Sequence, residues 1–347
     1  MMIDKNTSRT FTALGGGNRG YLSNRILKNI IRQSGLTYQE FFALQDVMAG
    51  TSVGGIMVMA YASGHSPEDM DNFFLTSAPR IFTSRTALEF SNLSHNASLN
   101  SNILNEGQKA ALLIEGVPFY QSPYSDSDFG HNVLYQLIDS TFGNAKMSSL
   151  QNKVIIPATR LDNTQYILFS NIKDDSFFTC NDELIADVAK STSAAPTYLP
   201  SHTFGGKSFG DGGTWCNNAS LICSMAAMAM NPAASTQISC TIGTGTSYWG
   251  NKDTDTIGSA TYGINQVLSI LDEAMWGSQL YSSLLMKYMS DRLVTTPNKK
   301  HFEFDAACSF ELEDSTLQSS LAMEEIGDAY SMQQSDNIAA YIGHLLA

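Results

Sequence analysis

The chain has 347 residues, 43% hydrophobic and 15% charged, which is enough to bury a full core and too apolar for a disordered or fibrous protein. Its 33 acidic against 20 basic residues leave a net charge of −13, and no lysine or arginine cluster offsets the resulting repulsion of polyanions, so nucleic acid is not expected as a partner. Cys180, Cys216, Cys223, Cys240 and Cys308 are odd in number and lack C-x-x-C spacing, which argues for reduced, buried thiols rather than a disulfide framework or a zinc site.

In chain order, Met1 to Thr12 has no apolar leader-like core and no apolar run reaches the length of a membrane span, so a cytoplasmic chain without a signal peptide is expected. Thr10–Leu14 reads as a strand, Gly15–Gly20 as a turn, and Tyr21–Ile31 as a helix. The same unit recurs with Gln45–Ala49, a glycine turn at Gly50, and an apolar helix from Ile56 to Tyr61. Ser66-Pro67-Glu68-Asp69 caps a further helix through Phe74. Residues 80–128 are rich in Asn and Ser with little periodicity, which predicts loops, short helices and a substrate-facing surface. His131–Phe142 reads as a helix, Lys153–Thr159 and Tyr166–Phe169 as strands, Asp187–Ser193 as a helix and Ile238–Ile242 as a strand. Beyond about residue 260 the chain is mainly helical, with one β-like segment at Phe302–Phe304. This alternation predicts one α/β domain over residues 1–347, with its core at about 8–250 and helices on both faces of the sheet.

Two glycine-rich stretches carry chemical content. Gly15-Gly16-Gly17-Asn18-Arg19-Gly20 satisfies G-x-G-x-x-G between a strand and a helix, the setting of a dinucleotide-binding turn, yet the acid such a site needs about twenty residues on is represented only by Glu40 in a poorly patterned segment. Gly50-Thr51-Ser52-Val53-Gly54 reads as a nucleophile elbow, because a serine flanked by small residues can sit at the apex of a sharp strand-to-helix turn. Gly206-Lys207-Ser208-Phe209-Gly210 matches the same pattern without a following apolar helix, so Ser208 is the poorer candidate. A serine hydroxyl needs a base. None of His65, His95, His131, His202, His301 or His344 lies in a glycine-framed loop, whereas Asp211-Gly212-Gly213 does.

The glycine turn, Gly-Thr-Ser-Val-Gly-Gly and Asp-Gly-Gly, in this order, resemble the three signatures of the patatin-like phospholipase family. Ser191–Pro200, Asn217-Asn218 and Gly243-Thr244-Gly245 are similar to further family segments. Leu14, where many relatives carry aspartate, and Asn218-Ala219, in place of Asn-Pro, depart from the pattern. The resemblance implies a three-layer α/β/α fold with a mostly parallel sheet, a Ser52–Asp211 dyad that needs no cofactor or metal, and an oxyanion-binding turn formed by Gly15, Gly16, Gly17, Asn18, Arg19 and Gly20. It implies acyl hydrolysis of phospholipids or related lipid esters at a membrane surface. An acyltransferase on the same dyad and a catalytically weak binding or regulatory protein are the alternatives.

Overall fold

The computed structural model describes residues 6–82, 131–245 and 264–347, except positions 175, 180, 197, 294–296, 311 and 313. Most of the expected loop-rich region at 80–128 therefore lies outside the described residues. The first half runs β1 (Thr7–Ala13), α1 (Gly20–Ser34), α2 (Tyr38–Ala43), β2 (Val47–Gly50), α3 (Val53–Ala62), α4 (Pro67–Asn72), a π-helical turn (Phe73–Ser77), α5 (Ala78–Ile81) and α6 (His131–Phe142). It continues through β3 (Lys153–Arg160), β4 (Gln165–Ser170), α7 (Ile185–Thr192), β5 (His202–Phe204), β6 (Lys207–Asp211), α8 (Gly213–Cys216), α9 (Ser220–Met230) and β7 (Thr236–Ile242). The last part is α10 (Ile264–Arg292), β8 (Asn298–Phe304), α11 (Leu317–Gln333) and α12 (Ser335–Leu346).

The eight strands form one sheet in the order β5-β6-β3-β2-β1-β7-β8, with β4 on β3. Pairings from β3 through β2, β1 and β7 to β8 are parallel, and those of β3 with β4 and β6 are antiparallel. Alternation along each strand divides the core. Phe11, Met48, Val154, Ile156 and Ile238 pack against α1, α3, α7, α11 and α12, while Val47, Ala49 and Ile155 pack against Cys216, Cys223 and Ala227 of α8 and α9. The result is a three-layer α/β/α fold. All ten residues of α3 are buried, which explains why it is apolar all round rather than amphipathic.

The expected strands and helices appear with ends shifted by up to three residues, and the β-like segment at 302–304 is the end of β8, parallel to β7. Residues 38–43 differ from the sequence reading. Thr37 accepts from the Glu40 N–H and Glu40 accepts from the Thr37 N–H, so the poorly patterned segment is a short helix closed by a capping box. Glu40 is thereby committed to a helix end and pairs with no nucleotide-binding turn.

One pairing detail sets up the site. β4 covers one edge of β3 over Ile155–Arg160, so β2, paired to residues 153–155, and β6, paired to 158–160, must share the other edge. β2 runs parallel to β3 and β6 antiparallel, so the two strands point at each other and their carboxyl ends, Gly50 and Asp211, converge.

Candidate active site

Ser52 stands at the end of β2 with φ 57° and ψ −129°, a left-handed conformation that is strained for a residue with a side chain. The turn is possible because Gly54 lies where a Cβ would collide with the Ala13 and Leu14 carbonyls. The Ser52 N–H donates to Thr192 Oγ1 (3.0 Å), Thr192 Oγ1 donates to the Pro157 carbonyl (2.7 Å), and Thr51 Oγ1 donates to the Cys216 carbonyl (2.6 Å). The elbow is thus held to β3, to α7 and to the end of α8. Val53 begins α3 and lines the cleft beside Ser52.

Asp211 is 3% exposed, its N–H donates to the Ala194 carbonyl (2.9 Å), and its Oδ1 accepts from the Gly213 N–H (2.7 Å). Gly212 packs directly on Pro157 of β3, which brings the Asp-Gly-Gly turn against the elbow. Ser52 and Asp211 line the same cleft, close enough for the Ser52 side chain to favour the ionised form of the Asp211 carboxyl. Burial pushes the Asp211 carboxyl up to about 7, against the opposing pull of the neighbouring Ser52 side chain and of the Gly213 N–H. A carboxyl poised there can exchange a proton near neutral pH.

The turn at residues 15–20 is more selective than its sequence implies. The Gly15 N–H donates to the Asn217 carbonyl (3.4 Å), Asn18 N–H to the Leu312 carbonyl (2.7 Å), Arg19 N–H to the Gly16 carbonyl (3.1 Å), and Gly20 N–H to the carbonyls of Asn18 and Gly17. Asn18, expected to hold an oxyanion, is therefore committed elsewhere by its backbone. Gly16 and Gly17 keep N–H groups without a partner among the described residues, and both line the same cleft as Ser52 and Asp211. Arg19 turns back on its own loop, its Nε donating to the Gly16 carbonyl (3.4 Å) and its Nη1 to the Phe310 carbonyl (3.5 Å).

The cleft opens at the carboxyl ends of the parallel strands, where α/β sheets place ligands. One wall is apolar: Ile56, Phe73, Phe74, Ile81, Phe82, Leu134 and Leu199. Sequence reasoning placed Phe73 and Phe74 on an ordinary helix, whereas they begin a π-helical turn that carries the chain into α5 along this wall. It also missed Met275, Trp276 and Gln279, which α10 supplies to the same cleft and which no local sequence pattern marks. Ser208 lies on the β5–β6 hairpin, sharing a hydrogen bond with Thr203 Oγ1 (2.9 Å), outside the cleft. No described histidine side chain lines the cleft, and His202 Nε2 bonds instead to Asp187 (2.8 Å). Burial pushes the thiols of Cys216, Cys223 and Cys240 up to about 12, so they stay protonated. Among the described residues no group of three or more His, Cys, Asp or Glu side chains is arranged to hold a metal ion.

An α/β/α sheet with an apolar cleft at its strand ends, holding a strained serine against a buried carboxyl, is the layout of a domain that acts on an apolar ligand. The patatin-like phospholipase family model matches residues 14–222, and the chain belongs to that family. Among curated proteins it is 28% identical over 230 residues to the cGAMP-activated phospholipase of Escherichia coli (strain TW11681), covering 63% of this chain and 56% of that one. It is 29% identical over 193 residues to patatin-like protein 2 of Arabidopsis thaliana, covering 51% and 41%. The chain thus spans about half the length of these relatives. Of the solved structures, VipD from Legionella pneumophila is similar with a TM-score of 0.41 at 10% identity, covering 96% of this chain and 67% of that one. Among the described residues no helix is long and apolar enough to cross a membrane.

Proposed function

We propose that the protein is a lipid acyl hydrolase of the phospholipase A type, working through a Ser52–Asp211 dyad. The observation that carries this reading is that one apolar cleft brings together Ser52, strained at the apex of its turn, and the buried Asp211 carboxyl, pushed up to about 7. Ionised Asp211 takes the hydroxyl proton as Ser52 Oγ attacks the ester carbonyl. The carbonyl oxygen becomes an oxyanion, received by the N–H groups of Gly16 and Gly17. Collapse breaks the bond to the alcohol, which leaves with the proton from Asp211, and the acyl group stays on Ser52. Water then repeats the cycle, giving up its proton to Asp211 and releasing the fatty acid. The apolar wall from Phe73 to Leu199 accommodates the acyl chain, and the whole sequence uses no metal or cofactor.

Phospholipid vesicles incubated with the protein and analysed by mass spectrometry test the proposal. Wild type should release fatty acid, and its rate should rise with pH through about 7 as Asp211 ionises. Ser52→Ala should abolish release while keeping the wild-type circular dichroism, and Ser208→Ala should leave it unchanged. Release by Ser52→Ala at the wild-type rate would rule the dyad out.

A further inference from the structure

Gly16 N–H and Gly17 N–H cannot be aimed by their own residues, which have no side chains. They are aimed from the other side of the peptide. A trans peptide is planar, so the Gly15 carbonyl and the Gly16 N–H point in opposite directions and fixing one fixes the other. The Gly15 carbonyl accepts from Thr244 Oγ1 (2.9 Å) and from Asn217 Nδ2 (3.3 Å). Acceptance at the carbonyl also polarises the amide and strengthens its N–H as a donor.

What keeps the Asn217 amide the right way round lies further out. Asn217 Nδ2 also donates to Gln279 Oε1 (3.1 Å), and Gln279 Nε2 donates to Asp305 Oδ2 (3.4 Å). Asp305 follows the end of β8, and its Oδ1 accepts from the Gly245 N–H (2.8 Å), beside Thr244. A carboxylate can only accept, so it sets the polarity of the row: Gln279 must present Nε2 to Asp305 and Oε1 to Asn217, which must present Nδ2 to Gly15. Gly243 packs where a Cβ would overlap the Asp305 carboxyl, so the loop leaves room for it. Asp305 thus organises both donors on the Gly15 carbonyl without lining the cleft itself.

We infer that Asp305 and Gln279 are positioning residues that orient the Gly16 N–H toward the developing oxyanion. The inference rests on the hydrolase reading above, and the experiment separates the two. In Asp305→Asn the one remaining oxygen stays on the nearer, fixed Gly245 N–H, so the amide N–H faces Gln279 Nε2–H, and the two opposed donors turn the Gln279 amide over and unseat Asn217. For hydrolysis of a monomeric p-nitrophenyl ester, kcat should fall about 10- to 100-fold with KM within about twofold of wild type, somewhat less than the loss of a whole oxyanion donor. Gln279→Glu alone, with two carboxylates opposed, should also be impaired. The double variant Asp305→Asn/Gln279→Glu restores a donor facing an acceptor at both junctions and should recover kcat to within about threefold of wild type. A generic loss of packing would not be rescued by a second substitution of this kind.

Wild-type kcat in a folded Asp305→Asn variant, or no recovery in the double variant, would overturn the inference. If Asp305→Asn does not fold, Gln279→Leu removes the acceptor for Asn217 without altering the β8 end; a kcat loss of at least about fivefold supports the inference and an unchanged kcat overturns it. Ser52→Ala run alongside distinguishes the cases, because turnover there removes the hydrolase reading itself.

Discussion

Asp211 couples the proposed chemistry to stability. Its carboxyl sits at about 7 rather than the ordinary 3.8 because burial disfavours the charge, so the folded protein holds that proton more tightly than the unfolded chain does. The corresponding stability is present in full below about pH 4 and is lost as pH rises through about 7. Asp211→Asn keeps the shape and removes the titration. Relative to wild type it should gain stability between pH 4 and pH 8, by on the order of 4 kcal/mol at most, measured by urea unfolding at each pH. A difference between the two proteins that does not change with pH would contradict this. Ser52 and Asp211 were legible in the sequence because the elbow and the Asp-Gly-Gly turn advertise themselves through neighbouring glycines. Gln279 and Asp305 were not, since nothing local marks a glutamine on a long helix or an aspartate after a strand. They reach Asn217 only through tertiary structure.

Among elements, the decisive arrangement is the meeting of β2 and β6 on one edge of β3, locked by Thr192 from α7. Its single hydroxyl accepts from the Ser52 N–H and donates to the Pro157 carbonyl, bridging the elbow to the strand that carries both partners. Thr192→Val keeps the volume and removes both bonds. It should cost about 1–3 kcal/mol in chemical denaturation, because the elbow N–H loses its acceptor, and kcat should fall with it. A variant equal to wild type in both measurements would show that the elbow is held without Thr192. Strands β5 and β6 carry no long apolar run and went unread, whereas β1, β2, β3, β4 and β7 were readable from theirs, as was α3 from its unbroken apolar stretch. The direction of β6 was not, because alternation of side chains reports burial and is silent on which neighbour a strand takes. The capping box at Thr37 and Glu40 was written in the sequence but masked by the aromatic residues around it, which break helical periodicity.

For the molecule as a whole, the α/β class followed from recurrent strand-turn-helix units, while the order β5-β6-β3-β2-β1-β7-β8 came from crossovers that no single segment encodes. Net charge acts at this scale. With a formal charge of −13, approach to an anionic bilayer is opposed over a Debye length of about 10 Å at 0.1 M salt. Fatty-acid release should therefore be faster from phosphatidylcholine vesicles than from vesicles rich in phosphatidylserine at low salt, and the gap should narrow as salt is raised. An anionic preference that weakens with salt would point to a local basic contact strong enough to override the overall charge.

The dyad is tested most directly by covalent labelling with a fluorophosphonate, followed by peptide mapping. Wild type should carry one adduct, on Ser52, and Asp211→Asn should label far more slowly because the hydroxyl has lost its base. An adduct on Ser208 or on any other residue in place of Ser52, or equal labelling rates in the two proteins, would contradict the Ser52–Asp211 assignment.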